Sequence, residues 1–383
     1  TNETVSNITI RGGTNDQNLV LWDDIKMYQT GHFFGLISAF NPQITQQVTV
    51  QKNGTEASFS DGVSGSIQMK TDNRVQQDFK GSLGVNFISA DVFADIPLGE
   101  KSSIQVAGRR SLDDLIRTPT YDVYFDRVIQ ETEIDNNVES VINSNQDFSF
   151  YDTSLRWLYS PTEKDQLRVN FILIDNDLTF DETSSVEGNL ITRQSQLSQN
   201  SIAAGLSYKR VWNDRFTTHF NAHNTGYKLQ ATNANVLQQQ RFLQENTVFE
   251  IGVKFKGTYK WDNLTLEAGY QFVEAKVVNI NDIDVPRFLR RDSEVLMENA
   301  VFAQTHYQNE GKDFSVRPGV RLNYINEFNE FIVEPRLSVR KKLGQHFQIE
   351  ALGEFKHQNT SQIVNFQNDF LGIEKRRWQL SNN

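Results

Sequence analysis

Between Phe249 and Trp261 the chain alternates. Phe249, Ile251, Val253, Phe255, Tyr259 and Trp261 hold the odd positions, interrupted at Gly257, while Glu250, Lys254, Lys256 and Lys260 stand among the even ones. A helix would scatter these apolar residues around its circumference, whereas an extended strand gathers them on one face. The pattern recurs at Leu167 to Leu173, where Leu167, Val169, Phe171 and Leu173 flank Arg168 and Asn170. It recurs again at Leu264, Leu266, Ala268, Tyr270 and Phe272, at Val316, Val320, Leu322 and Tyr324, and at Phe347, Ile349, Ala351 and Phe355. About thirteen such strands are predicted from about Phe79 onward, each near the ~10 residues that a tilted membrane strand requires.

Strands with two chemically distinct faces suit a soluble sandwich or propeller as well as a membrane barrel. The connections favour the barrel. Tight turns are predicted at Leu98 to Lys101, Ser160 to Asp165, Trp212 to Arg215, Trp261 to Asn263, Asn309 to Asp313 and Lys342 to Gln345. Long polar connections are predicted at 111–147, 175–199, 225–246 and 274–298, with Ile325 to Glu330 a short exception. Tight turns on one rim and long loops on the other are the signature of a transmembrane barrel. Trp157 with Tyr159, and Tyr259 with Trp261, sit near strand ends like an interfacial girdle, and the opposite face is expected to carry charge rather than a second core. Arg109, Arg156, Arg168, Arg317, Arg321, Arg336 and Arg340 fall on that face, where pairing with carboxylates such as Glu334 and Glu350 is favoured over contact with an anionic substrate.

No run approaches the eighteen or more apolar residues that a spanning helix needs. A mean hydropathy of -0.52 fits a sheet whose polar face cancels its apolar one. The absence of cysteine removes disulfides, thiolate metal sites and cysteine nucleophiles. A net charge of -10 argues against a nucleic-acid partner. Thr1 opens the chain without a basic and apolar leader, so any secretion signal is expected outside it.

His219 and His223 have the spacing of a helical zinc pair, but on a strand they stand ~13 Å apart at ~3.3 Å per residue, too far for one ion. Asn279, Asn281, Asp282 and Asp284 alternate oxygen donors without the glycine and terminal glutamate of a calcium hand. The acidic stretch 120–147 is expected to be a solvated loop. No metal or cofactor is expected. Without a Gly-X-Ser-X-Gly, phosphate-loop or dinucleotide fingerprint, no enzyme is expected either.

Residues 1–71 read differently, with Gly12, Gly13, Gly31, Gly35, Gly54, Gly62 and Gly65 punctuating short apolar strands. Ile8-Thr9-Ile10-Arg11-Gly12-Gly13, followed by Leu19-Val20-Leu21-Trp22-Asp23-Asp24, resembles the plug of TonB-dependent receptors. Tyr28 to Asn41, Pro42 and then Val48 to Gly54 follow in an order similar to the Bacteroidetes branch, with its His-X-Phe-Gly loop. Asp61-Gly62-Val63-Ser64-Gly65-Ser66-Ile67 resembles the segment that closes the plug. Gly81-Ser82-Leu83, Pro97-Leu98-Gly99 and Ala107-Gly108-Arg109-Arg110 look like the first barrel strands of that branch. Two departures stand out. The family's Leu-Asp-Gly turn reads Trp22-Asp23-Asp24, with Asp24 where a glycine would tolerate positive φ, and its Tyr-Gly pair reads Phe59-Ser60.

The resemblance implies an all-β transmembrane antiparallel β-barrel, partial at about 13 of an expected 22 strands, with a small α+β plug domain. Residues 1–71 would be the C-terminal part of the plug and 72–383 the N-terminal part of the barrel. A sheet left open in lipid would expose backbone groups at several kcal/mol each, so a fragment of a larger polypeptide is expected. The resemblance further implies the Gram-negative outer membrane, with lipid around the wall, and import of a scarce ligand: a ferric siderophore, cobalamin, a glycan or a peptide. The TonB-ExbB-ExbD complex would be the energy-transducing partner, and a surface lipoprotein lid is compatible with the branch. The apical plug loop would offer Tyr28, His32, Phe33 and Phe34 to the ligand, with Arg11 beneath them, although Phe33 and Phe34 equally suit the plug core. Two rivals stand beside this reading: a surface binding or adhesion protein on a soluble sandwich, and a barrel with a signalling or assembly role.

Overall fold

The computed structural model describes residues 8–32, 35, 37–41, 43–113, 116–124, 142–235, 240–362 and 377–380. The chain begins with short strands β1 (Asn18–Trp22), β2 (Ile25–Lys26), β3 (Gly31–His32), β4 (Ile37–Ser38), β5 (Gln47–Gln51) and β6 (Gly65–Lys70). Four of them form a mixed sheet in the order β2-β1-β6-β5, with β1 parallel to β6, while β3 and β4 pair separately. A 3-10 turn, Asn15–Gln17, leads into β1. All five residues of β1 are buried, as expected of a strand covered on both faces. The β1–β2 turn holds Asp23 and Asp24 at φ 48° and 69°. Aspartate reaches this region because its short side chain can bond locally, and Asp23 does so, accepting from the Thr71 amide (3.0 Å) and hydroxyl (2.6 Å).

The wall follows as one antiparallel sheet of thirteen strands in chain order. Its strands are β7 (Lys80–Val85), β8 (Ser89–Pro97), β9 (Ser102–Ser111), β10 (Ile142–Thr162), β11 (Asp165–Val186), β12 (Asn189–Val211), β13 (Phe216–Asn235), β14 (Gln240–Lys260), β15 (Leu264–Ile283), β16 (Phe288–Gln308), β17 (Phe314–Ile325), β18 (Glu330–Leu343) and β19 (Phe347–Glu354). Two further short strands, β20 (Thr360–Gln362) and β21 (Trp378–Leu380), pair with each other outside this sheet. The all-β barrel-and-plug architecture is the one expected, including the strand count.

Two expectations are corrected. The segments 175–199 and 274–298 are not loops. β11 pairs with β12 residue by residue from Asp175↔Asn200 to Val186↔Asn189, and β15 pairs with β16 up to Ile283↔Phe288. β13 and β14 likewise stay paired to Asn235↔Gln240. At 22 residues and ~3.3 Å per residue, β11 reaches ~70 Å, far beyond the ~25 Å apolar band. Polarity misleads here because a backbone ladder is indifferent to side-chain chemistry. The polar groups also bond across the strands, as Thr183 does with Thr192 (2.8 Å) and Gln194 with Asp181 (3.2 Å). Of the acidic stretch, 125–141 lies outside the described residues, and 119–124 forms a short helical segment.

The second correction concerns the inner face. Arg168 and Asn170 do point inward, but Ile172, Ile174, Leu178 and Phe180 share their parity on β11 and are at most 1% exposed. Phe148, Phe150, Leu197, Tyr227, Leu229 and Val248 join Leu178 and Phe180 in one buried cluster. Charge therefore occupies the inner face near the short turns, and a second core occupies it toward the long hairpins. The inner face meets the plug and the neighbouring hairpins instead of open water, so burying apolar area there is favourable at ~25 cal/mol per Å².

Candidate functional site

The plug is fastened to the wall at discrete points, which climb from the short-turn rim toward the hairpins. Lowest is Asp23. Besides Thr71, its carboxylate accepts from Arg168 Nη1 (3.2 Å) and Asn170 Nδ2 (2.7 Å) on β11. Beside it, Ile25 lies against Gly205 of β12. A side chain at 205 would place its Cβ 2.7 Å from Ile25 Cδ1, so glycine is what admits the plug this closely.

Lys26 is next. Its ammonium meets Asp61 of the plug (2.5 Å) and Glu250 of β14 (3.4 Å), and donates to the Thr360 hydroxyl (3.1 Å). Burial works against that charge, yet Asp61 and Glu250 hold it well above the ordinary lysine value. Glu250 also accepts from the Tyr28 hydroxyl (2.6 Å) and lies 3.2 Å from His223 Nε2. Burial and the Glu250 carboxylate raise the Tyr28 phenol well above its usual range. Trp378 of β21 packs edge-on against Tyr28, with centroids 5.0 Å apart.

Highest is His32, fully buried, with Nε2 3.0 Å from Asp152 of β10 and Nδ1 against Asn176 of β11. Asp152 also takes the Arg109 Nε–H (2.7 Å), and the same guanidinium reaches the Ser38 carbonyl of β4.

The opposite wall grips a different part of the plug. Arg336 pairs with Glu334 (2.7 Å) and donates to Thr55 (3.1 Å) and to the Glu56 and Phe59 carbonyls. Glu334 in turn accepts from Ser60 (2.9 Å) and the His357 amide (3.0 Å). Arg317 donates to the Gly54 carbonyl and Gln304 accepts from Ala57 N (2.8 Å). Arg321 binds Glu298 (2.8 Å). Arg340 stands opposite exposed Glu350 in the β18–β19 register. On the first side, Arg156 of β10 pairs with Asp95 of β8 (3.4 Å) and donates to the Asp72 carbonyl.

Of the residues singled out from sequence, Tyr28 and His32 are therefore brought to the wall side by side with Glu250, Asp152 and Asn176. Arg11 is not brought to them, since it donates to the Ser64 (3.0 Å) and Val63 (2.7 Å) carbonyls and ties the plug to itself. Phe33 and Phe34 lie outside the described residues. His219 and His223 have separate partners, Ser207 (2.8 Å) and Glu250. Among the described residues no group of His, Asp and Glu is arranged to hold a metal. Sequence reasoning missed Glu250 and Asp152 as plug partners. Their inward parity was readable, but their partners lie 222 and 120 residues away.

The family model for the TonB-dependent Receptor Plug Domain matches residues 1–67. No curated protein matches the chain. Among solved structures, a ferric enterobactin receptor (PfeA) mutant from Pseudomonas aeruginosa is 13% identical, over 91% of this chain and 55% of that one, with a TM-score of 0.65. The siderophore receptor PirA from Pseudomonas aeruginosa is 14% identical over 89% and 54%, with a TM-score of 0.60. The copper transporter OprC is 10% identical over 87% and 54%, also with a TM-score of 0.60. The chain thus spans about half the length of the solved structures it matches, and what it shares with them is the fold.

Proposed function

We propose that this chain forms the gated part of an outer-membrane importer for a scarce ligand, a reading supported by the plug-domain match over residues 1–67 and by the barrel fold shared with siderophore receptors. In this reading residues 1–71 are plug and 72–383 wall, the long hairpins face outward, and the short turns face the periplasm. The observation that carries it is the manner of fastening. The plug is held by separable side-chain pairs such as Asp23 with Arg168 and Lys26 with Glu250, and among the described residues no strand of the plug joins the barrel sheet. A hydrogen bond to a charged group contributes ~1.5–3 kcal/mol, so several together hold firmly at rest yet can be broken one after another by a pull. TonB, driven by ExbB and ExbD, would supply the pull.

The ligand would be a ferric siderophore, cobalamin, a glycan or a peptide, and the His32 loop favours the Bacteroidetes branch. Tyr28 and His32 would exchange their wall partners for the ligand, together with Phe33 and Phe34, while Arg11 supports the plug through Val63 and Ser64. Cells carrying the receptor but lacking TonB should bind the ligand and fail to accumulate it. Accumulation that persists without TonB would reject the importer, and a ligand response without accumulation would favour a signalling barrel.

A further inference from the structure

Two adjoining cavities, of about 270 and 300 Å³, lie between the plug sheet and the wall near the short-turn rim. Asp24, Lys70, His219 and Lys256 line both; Lys209 adds to the first and Lys254 to the second. Each could hold several waters at ~30 Å³ apiece, or a small anion in their place.

The charges are unbalanced. Lys70, Arg168, Lys209, Lys254 and Lys256 face three carboxylates, Asp23, Asp24 and Glu56. Asp23 is committed to Arg168, and Glu56 stands 3.8 Å from Lys256, which also has Glu267 at 3.4 Å. Among the described residues Lys254 makes no ion pair and instead lies over the Phe59 ring, 4.8 Å from its centroid. Asp24 makes no ion pair or side-chain hydrogen bond with a described residue either. It projects from the left-handed turn at φ 69° into the midst of these cations. Burial pushes its carboxyl up, but Lys254, Arg168, Lys70 and His219 more than offset this and keep it below the ordinary carboxylate range. Asp24 is thus a charged counter-ion held by the field around it and by no direct bond, which is the state in which an anion is most readily exchanged.

We propose that these cavities form an anion-binding subsite between plug and wall, where a carboxylate or phosphate group of the passing ligand replaces Asp24 as counter-charge to Lys254 and Lys256. The subsite rests on the importer reading and narrows it, because the ligand must then carry such a group.

The test is calorimetric titration of the full receptor, purified in neutral detergent, with citrate and separately with inorganic phosphate, at constant ionic strength set by chloride. Saturable binding of one of them is expected, and which one binds tells carboxylate from phosphate. The double variant Lys254→Gln, Lys256→Gln should weaken binding at least tenfold. Asp24→Asn, which keeps a residue suited to the left-handed turn, should tighten it at least fivefold by removing the competing charge. A destabilised protein would not bind more tightly, so the opposite signs separate the subsite from misfolding. No saturable binding of either anion, or affinity unchanged or lowered in Asp24→Asn, would overturn the proposal. The titration needs no TonB: lost binding with TonB-dependent uptake intact removes the subsite alone, and binding intact without such uptake removes the importer alone.

Discussion

The two ends of the lumen are built on opposite principles. Toward the hairpins the inner face carries an apolar cluster in which Phe148, Phe150, Phe180, Tyr227, Val248 and Trp378 are grouped with Tyr28. Toward the short turns it is hollow and cationic, and Asp23 and Ile25 provide the close contacts there. Adhesion at the upper end is shared among many side chains, whereas the lower end depends on a few bonds around water-sized space. A pull transmitted from the short-turn rim would therefore meet its weakest resistance where the cavities already lie.

That contrast can be broken experimentally. Asp23→Ala should loosen the plug most, at about 3–5 kcal/mol, because it leaves buried Arg168 without its ion-pair partner and Asn170 and Thr71 without an acceptor. The plug should become protease-sensitive while the barrel keeps its heat resistance. Phe180→Ala should cost about 3–5 kcal/mol in thermal unfolding through the cavity it leaves, yet the plug should stay protected because the surrounding cluster still holds it. Equal protease sensitivity in the two variants would remove the distinction between the ends. Tyr28→Phe deletes one hydroxyl bond to a buried carboxylate and should cost about 1.5–3 kcal/mol. If the same hydroxyl also serves the ligand, affinity should fall alongside stability. The smallest effect is expected at the hollow end, where Lys209→Ala should change stability by no more than about 0.5 kcal/mol, since Lys209 is exposed and has no ion pair among the described residues.

Much of the wall was readable in advance because parity is a local property: Leu167, Val169 and Phe171 against Arg168 and Asn170 already fixes which side of the wall faces outward. The tight turns were legible for the same reason. The hairpin extensions were not, since Asp175 to Val186 looks like a loop by polarity and becomes strand only through pairing with Asn189 to Asn200. The second core was hidden for a related reason, because Leu178 and Phe180 lie inside that supposed loop. In the plug, Tyr28 and His32 were recognisable as aromatics with a polar handle. Their commitment to Glu250 and Asp152 depends on how a distant wall curves around them, and no spacing encodes that.

The most direct measurement is to fasten the hollow end shut. The chain has no cysteine, and Ile25 lies where a side chain on Gly205 would touch it. The double variant Ile25→Cys, Gly205→Cys therefore offers a bond between plug and wall, with the shorter residue at 25 making room for the new side chain at 205. Once mass spectrometry shows the bond complete, ligand uptake should fall at least tenfold with binding unchanged, and a reductant should restore it. Undiminished uptake with the bond fully formed would mean that the plug does not part from β12 during passage, and the gate would have to be sought elsewhere.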